Sequence, residues 1–295
     1  LTGFIINAGV EQGIEKWSRR LMPSLLILLI ALIAYVLTRE GALEGLQHYL
    51  VPDFSQMANP ELMVSALGQA FFSMSLGVGT MLIYGSYIRS DANLPVVGSL
   101  VTLTDTGIAF LAGLLILPAM FVAQNLGVAI YGEDGSLVGG PGLIFQVLPT
   151  LFESMGGVGL FVGFAFFVLM SIAAVTSSIS MLEVPVSYAV ETHKVSRKSA
   201  TLWLTSAIFG ISVVICLNFD IAFDAIISLT TEWAQPLISL LICLFAGWVF
   251  YRNAILQEIK QGKPNAENSL FWKLWPVYVK LICPTLIAVI IFQGL

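Results

Sequence analysis

Seven apolar runs, each about twenty residues or longer, constrain the fold of this chain more than any other feature of its sequence. About twenty apolar residues in a helix are needed to cross the hydrocarbon core of a bilayer. Backbone groups at that depth must find hydrogen-bond partners within the protein, which a helix provides. We therefore predict an all-α integral membrane protein. The runs cover residues 21–38, 63–88, 96–124, 157–190, 199–217, 225–250 and 274–294.

The composition supports lipid as the main solvent. Only 11% of the 295 residues are charged and 57% are hydrophobic, whereas soluble domains carry about 25% charged residues. The connectors between the runs are polar and contain no sign of a second soluble domain. We therefore expect a single transmembrane domain over residues 1–295.

Basic residues divide unevenly when successive connectors are placed on alternate sides of the membrane. One side carries ten Lys and Arg residues, and the other carries Arg39 alone among several acidic residues. The positive-inside rule places the basic side in the cytoplasm and supports seven spans. The ten residues are Lys16, Arg19, Arg20, Arg89, Lys194, Arg197, Lys198, Arg252, Lys260 and Lys263.

Several classes of site are excluded by what the spans contain. The cysteines Cys216, Cys243 and Cys283 lie in apolar runs, where we interpret them as small core residues and expect neither a disulfide nor a metal site. The chain contains no zinc-ligand spacing and no nucleotide-binding loop. Because His48 and His193 lie outside the runs and no catalytic carboxylate pair is evident, we expect no enzyme and no nucleic-acid partner.

The stretch GQAFFSMSLGVG, residues 68–79, is unusual for the middle of a span. Gly77 and Gly79 each lower helix stability by about 1 kcal/mol relative to Ala. If the helix opens there, its carbonyls can bind a cation, and the start of the next half-helix can face a carboxylate. The alternative is that the small residues only permit close packing of helices.

Other polar groups lie inside the apolar runs. Asp105 is the only acidic residue in residues 96–124, and either a functional role or a structural hydrogen bond explains it. A carboxylate near the interior of a span is costly, so Glu183 must be paired, protonated or functional. The stretch TSSIS supplies hydroxyl oxygens suited to a hard cation, although serines also bond to helix carbonyls. Its hydroxyl residues are Thr176, Ser177, Ser178 and Ser180.

These motifs, in this order, resemble the neurotransmitter:sodium symporter family, in particular its prokaryotic amino-acid transporters. GQAFFSMSLGVG is similar to the unwound sixth helix of the family, TSSIS to its eighth helix, and GPGLIFQVLP to the loop between the seventh and eighth. The resemblance implies the LeuT-like inverted-repeat fold, with this chain holding the end of helix four through helix eleven and lacking the N-terminal helices. The second five-helix repeat would cover roughly residues 60–251, followed by a further span at 274–294.

The resemblance also implies a substrate site at the midplane of the membrane. Val78 stands where a well-known member of the family has a bulky aromatic residue, so we expect a roomier pocket that accepts a larger apolar side chain. The implied substrate-binding residues are Phe72, Ser73, Ser75, Val78, Ser177 and Met181.

Two sodium sites follow from the same resemblance. Ser73 and Asp105 would hold the first Na⁺, and Ala173, Thr176 and Ser177 would hold the second. Chloride-dependent members carry a serine where this chain has Ala109, and the carboxylate of Asp105 supplies a fixed negative charge nearby. We therefore expect transport without chloride.

Gating residues are implied less directly. Asp224 lies one turn before Ile227, which is the nearest match to the outer-gate aspartate, so either Asp224 substitutes or the gate lacks that salt bridge. Gly13 and Pro23 fit the Gly-x9-Pro pattern of the fifth helix, which would unwind to admit cytoplasmic water. The alternative for Pro23 is a proline in the first turn of a span.

The sequence therefore predicts a sodium-coupled symporter of hydrophobic or aromatic amino acids, embedded in the lipid of the bacterial inner membrane as a multi-pass protein. A transport-inactive membrane scaffold or regulatory fragment is the alternative. The expected partners are a small-molecule amino acid and membrane lipid.

Overall fold

The computed structural model describes residues 1–57, 59–132, 135 and 137–293. Within these ranges ten side chains lie outside the description, and they belong to Glu11, Gln56, Glu61, Val64, Gln146, Ser154, Asp220, Asp224, Glu232 and Gln293.

The described residues form helices joined by short connectors, with a single isolated β-bridge between Tyr131 and Leu137. The first part holds α1 (Thr2–Asn7), a π-helical turn (Val10–Glu15), α2 (Lys16–Val36), α3 (Ala42–Leu50) and a 3₁₀ turn (Phe54–Gln56). The middle holds α4 (Pro60–Ser73), α5 (Thr80–Ser86), α6 (Leu94–Asn125), α7 (Gly140–Gly142), a π-helical turn (Leu143–Val147), α8 (Leu148–Ser154) and α9 (Gly157–His193). The last part holds α10 (Arg197–Leu217), α11 (Phe219–Ile227), a π-helical turn (Ser228–Ala234), α12 (Gln235–Leu244), a π-helical turn (Phe245–Val249), α13 (Arg252–Gly262), a 3₁₀ turn (Ala266–Asn268), α14 (Leu270–Val277), a π-helical turn (Tyr278–Ile282) and α15 (Cys283–Gln293).

Six continuous helical segments within the described ranges are long and apolar enough to cross a membrane. They correspond to six of the seven runs predicted from the sequence. The seventh run, residues 63–88, is divided between α4 and α5, so no single helix spans it. The six segments are Gln12–Val36, Leu94–Asn125, Gly157–His193, Arg197–Leu217, Ile221–Val249 and Leu270–Phe292.

The chain separates into two compact units, and residues 1–54 with 106–179 form the first. Its core is made by one face of α2 packing with the second half of α6, with α8 and with the first half of α9. The connector helix α3 lies against α6, because a Cβ on Gly45 would fall 2.7 Å from the carbonyl oxygen of Leu117. Leu29, Ala123, Leu148 and Phe166 are among the buried residues of this core.

Residues 55–105 and 180–295 form the second unit. Helices α12 and α15 pack against each other, and both contact α4. A small separate cluster is built from Ile259, Ala266 and Trp272, with Leu94 packed against it. This unit therefore holds the interrupted span and the two helices that support it.

The prediction that all three cysteines are core residues is wrong for Cys216, which is exposed, whereas Cys243 and Cys283 are half-buried. Cys216 lies on α10, and only 11% of the most apolar stretch of that helix is buried. In a membrane the lipid is as apolar as a protein core, so a small apolar residue gains little from burial.

Candidate functional site

The interruption between α4 and α5 is a left-handed turn of the backbone. Ser75, Gly77 and Gly79 have φ values of 50°, 81° and 88°. The N–H of Leu76 donates to the carbonyl of Phe71, and the N–H of Ser75 donates to the carbonyl of Phe72. This pair of bonds is a Schellman motif, which ends a helix and turns the chain away from its axis. The helix break predicted from the glycines is therefore present at residues 74–79.

Helix α12 supports the break from one side. A Cβ placed on Gly77 would lie 2.3 Å from the carbonyl oxygen of Gln235 and 2.7 Å from the Oγ of Ser239. Real Cβ atoms do not approach other atoms so closely, so only glycine fits there. Close packing and local unwinding, which the sequence offered as alternatives, therefore occur together at Gly77.

Asp105 lies beside the end of α4. The hydroxyl of Ser73 donates to both carboxylate oxygens of Asp105, at 2.9 Å and 2.8 Å. Four ion pairs connect described residues, and Asp105 belongs to none of them. Among the described residues the Asp105 carboxylate is held by a serine hydroxyl and by no ion pair, and carboxylate oxygens are ligands that hard cations prefer. The structure thus brings together the two residues expected to bind the first Na⁺.

The residues expected at the second Na⁺ occupy one turn of α9. The hydroxyl of Thr176 donates to the carbonyl of Ala173 at 2.9 Å, and the Thr176 side chain is buried. Ser177 follows on the exposed side of the helix, and Ser178 bonds instead to Thr2 of α1. A carbonyl and two hydroxyls within one turn offer oxygen ligands of the kind that hard cations prefer.

The residues expected to line the substrate site divide between the break and α9. Phe72 and Met181 are half-exposed, at 53% and 50%, although both side chains are large and apolar. Val78 is partly buried within the break. Met181 and Ser177 are four residues apart, so they share one face of α9.

The gating residues are placed as follows. Gly13 lies in the π-helical turn that precedes α2, and a Cβ there would fall 2.0 Å from the carbonyl oxygen of Ile5. Pro23 is well inside α2, so the alternative of a proline in the first turn of the helix is wrong. Asp224 lies in α11, and its side chain is outside the described residues.

Glu183 is paired, which decides between the three possibilities left by the sequence. Its carboxylate is fully buried and accepts hydrogen bonds from Tyr87 at 2.5 Å, from Ser187 at 2.9 Å and from Arg197. The sequence did not identify these partners, although Ser187 lies one helical turn away. Arg197 begins the next helix after a turn, so a local pattern could not connect it with Glu183.

Comparison with known proteins gives one consistent result. A family model described as the sodium:neurotransmitter symporter family matches residues 1–295. An uncharacterized sodium-dependent transporter of Haemophilus influenzae is 32% identical over 297 residues, covering 99% of this chain and 62% of the relative. An uncharacterized sodium-dependent transporter of Bacillus subtilis is 33% identical, covering 100% of this chain and 64% of the relative.

A solved structure is also similar. The crystal structure of MhsT in complex with L-phenylalanine superposes with a TM-score of 0.83 at 36% identity, covering 100% of this chain and 66% of MhsT. The chain therefore spans slightly less than two thirds of the length of each of these relatives.

Proposed function

Because this chain belongs to the sodium:neurotransmitter symporter family, we propose that the protein couples the entry of Na⁺ to the uptake of a hydrophobic or aromatic amino acid. It is a multi-pass membrane protein, and its relatives are transporters and not enzymes. We place it in the bacterial inner membrane, with the basic connectors in the cytoplasm.

The contact between Ser73 and Asp105 carries this proposal. A carboxylate held by a hydroxyl beside an unwound backbone brings carboxylate oxygens and neutral oxygens together in one place. Na⁺ bound there would sit next to the substrate carboxylate, so that each ion strengthens the binding of the other. The second Na⁺ would bind at Ala173, Thr176 and Ser177, where the ligands are neutral oxygens.

The apolar side chain of the substrate would lie against Phe72, Val78 and Met181. The small size of Val78 leaves room for an aromatic ring, and MhsT is crystallised with L-phenylalanine. Ser75 and Ser177 would supply polar contacts. Alternating access would open the path on the outer side near Asp224 and on the inner side where the π-helical turn at Gly13 and the proline at Pro23 loosen the helix.

The decisive experiment measures binding of labelled L-phenylalanine, L-tryptophan and L-leucine to the purified protein in Na⁺ and in K⁺. We expect saturable binding in Na⁺ alone. Asp105→Ala should raise the Na⁺ concentration for half-maximal binding at least about tenfold, since bonds to a charged group contribute about 1.5–3 kcal/mol. Asp105→Asn keeps an oxygen ligand and should raise this Na⁺ concentration by a smaller factor. Equal binding in both salts would contradict the proposal.

Asp91→Ala is the matched control, because Asp91 is an exposed carboxylate paired with Arg89 at the surface. It should leave the Na⁺ dependence unchanged. An equal loss in Asp91→Ala and Asp105→Ala would mean that the effect is not specific to the break.

Chloride should have no influence on the same binding. The carboxylate of Asp105 would take the place of the bound anion that chloride-dependent members require. Replacing chloride with gluconate at constant Na⁺ should leave the affinity for the amino acid within about twofold. A loss of tenfold or more in gluconate would show that the carboxylate does not take the place of chloride.

A further inference from the structure

A pocket of about 260 Å³ lies behind the break, between the unwound backbone and helices α12 and α15. We call it the back pocket. Gly77, Gly79 and Leu82 form its wall on the side of the interrupted span, and Ser239, Cys243 and Cys283 form the opposite wall. Of the residues expected to bind substrate, only Ser75 also lines it. The back pocket is therefore a different space from the proposed substrate site.

The size and the walls of the back pocket limit what it can hold. Small-molecule sites usually measure about 300–1,000 Å³ and are mostly apolar with a few polar groups. At about 260 Å³, and with walls that are almost wholly apolar, the back pocket suits a molecule of one or two rings. Free cysteines behave as small apolar residues, so Cys243 and Cys283 add to the apolar walls.

Ser239 provides a single unsatisfied polar group. Its side chain is only 6% exposed, and its Oγ has no hydrogen-bond partner among the described residues. A buried polar group without a partner costs about 1–3 kcal/mol. A bound molecule that carries one hydrogen-bonding group would recover this cost.

Cys243 and Cys283 face each other across α12 and α15. Both thiols line the same pocket from two helices that pack against each other, and they lie near enough to interact electrostatically. The pair therefore forms a dithiol at the edge of the pocket, and a reagent that needs two adjacent thiols will report on access to it.

We propose that the back pocket is a second binding site, which takes a small aromatic molecule with one hydrogen-bonding group. An occupant would contact both half-helices and the helices behind them, so it would hold the break in one arrangement. Inhibition of transport by such a molecule rests on the proposed function, because the break must move during alternating access. Binding itself does not depend on transport.

The test uses phenylarsine oxide on the purified protein in a Cys216→Ser background. In water this reagent carries two hydroxyls on trivalent arsenic. Two As–S bonds form with the thiols, two As–O bonds break, and two waters leave, so no oxidant is needed. We expect one reagent per protein by mass spectrometry and loss of both thiols to maleimide. Cys243→Ser and Cys283→Ser should each abolish stable attachment.

A variant that fills the pocket shows whether the reagent reaches the two thiols through the pocket or reacts with them independently of it. Leu82→Trp places an indole at the wall of the pocket, where Leu82 is 61% exposed and the fold tolerates a larger side chain. Ile211→Trp on α10 is the matched control, because Ile211 is 59% exposed and outside the pocket lining. We expect attachment to slow at least tenfold in Leu82→Trp and to be unchanged in Ile211→Trp. If Leu82→Trp does not fold, Met81→Trp is judged in the same way, since Met81 also lines the pocket.

Free indole serves as the reversible probe. It should protect the two thiols in the control variant, and Ser239→Ala should weaken that protection about fivefold through the lost hydrogen bond. Equal attachment in Leu82→Trp and Ile211→Trp, or no protection by indole, would overturn the proposal. In transport assays the reagent should lower the maximal rate without changing KM. Absence of Na⁺-dependent uptake before any reagent is added would refute the proposed function and leave the thiol measurement valid.

Discussion

Ser75 adopts a backbone conformation that glycine normally occupies. In a Schellman motif the residue after the helix end takes a left-handed conformation, and a side chain there costs about 1–2 kcal/mol. The φ of Ser75 is 50°, whereas the neighbouring left-handed positions, Gly77 and Gly79, are glycines. Strain of this kind persists where the surroundings fix the backbone, and it collects at functional sites. We infer that the hydroxyl of Ser75 is kept for binding at a cost in stability.

Two substitutions in the break should therefore have opposite effects on stability. Ser75→Gly relieves the left-handed strain and should stabilise the protein by about 1 kcal/mol while weakening substrate binding. Gly77→Ala drives a Cβ into the carbonyl of Gln235 at positive φ and should destabilise by more than about 2 kcal/mol. Thermal unfolding in detergent measures both.

Gly98→Ala in α6 is the control for these two variants, because a Cβ on Gly98 meets nothing within 4 Å. Its stability should change by no more than about 1 kcal/mol. Destabilisation by Ser75→Gly, or tolerance of Gly77→Ala, would be inconsistent with the geometry of the break.

At the scale of elements, Glu183 joins three helices in the second unit. Tyr87 follows the end of α5, Ser187 lies on α9 together with Glu183, and Arg197 begins α10. The Glu183 carboxylate has no exposed surface, so it depends entirely on these partners. Removing one partner of a buried ion pair leaves an uncompensated charge and costs about 3–5 kcal/mol.

Arg197→Ala should accordingly destabilise the protein by about 3 kcal/mol or more, seen as a lower apparent unfolding temperature. The double variant Glu183→Gln with Arg197→Ala should recover more than half of the loss, because the buried charge is gone. Arg89→Ala breaks an exposed ion pair and should change stability by less than about 1 kcal/mol. If the double variant is no more stable than Arg197→Ala alone, desolvation of the carboxylate is not the cause.

For the whole molecule, the distribution of basic residues predicts an orientation in the membrane. The connector between α13 and α14 contains Asn265, which is exposed, and the connector after α6 contains Leu126, which is 49% exposed. The positive-inside rule places the first in the cytoplasm, and the alternation of spans places the second outside. This assignment requires that the broken α4–α5 segment crosses the membrane as one span.

Labelling with a membrane-impermeant maleimide tests this orientation in a background without native cysteines. On intact cells, Leu126→Cys should react and Asn265→Cys should not. In inverted membrane vesicles the pattern should reverse. Reaction of both positions from the same side would mean that α4 and α5 do not cross the membrane together.

The spans and the break were predicted from local sequence. A run of apolar residues indicates a membrane span, and a pair of glycines inside the run indicates a break in the helix. The contact between Ser73 and Asp105 came from resemblance, since 32 residues separate the two in the chain. Three contacts were not predicted from the sequence. They are the packing of Gly77 against Gln235, the salt bridge of Glu183 with Arg197, and the shared pocket of Cys243 and Cys283. The first and third join helices that are far apart in the chain, and the second reaches across a turn into the next helix. In lipid such packing depends on shape and has little compositional signature.

The length of helix α9 allows a small movement at one turn to become a larger movement at its end. It runs without interruption from Gly157 to His193, 37 residues or about 55 Å, although the hydrocarbon core is only about 30 Å thick. Thr176 lies about 25 Å from the end at His193. If α9 turned as a rigid rod about Thr176, a tilt of about ten degrees would displace the His193 end by roughly 4 Å. This displacement is more than the length of a hydrogen bond. A small adjustment of the oxygen ligands at one turn would thus be magnified into broken contacts at the end near His193.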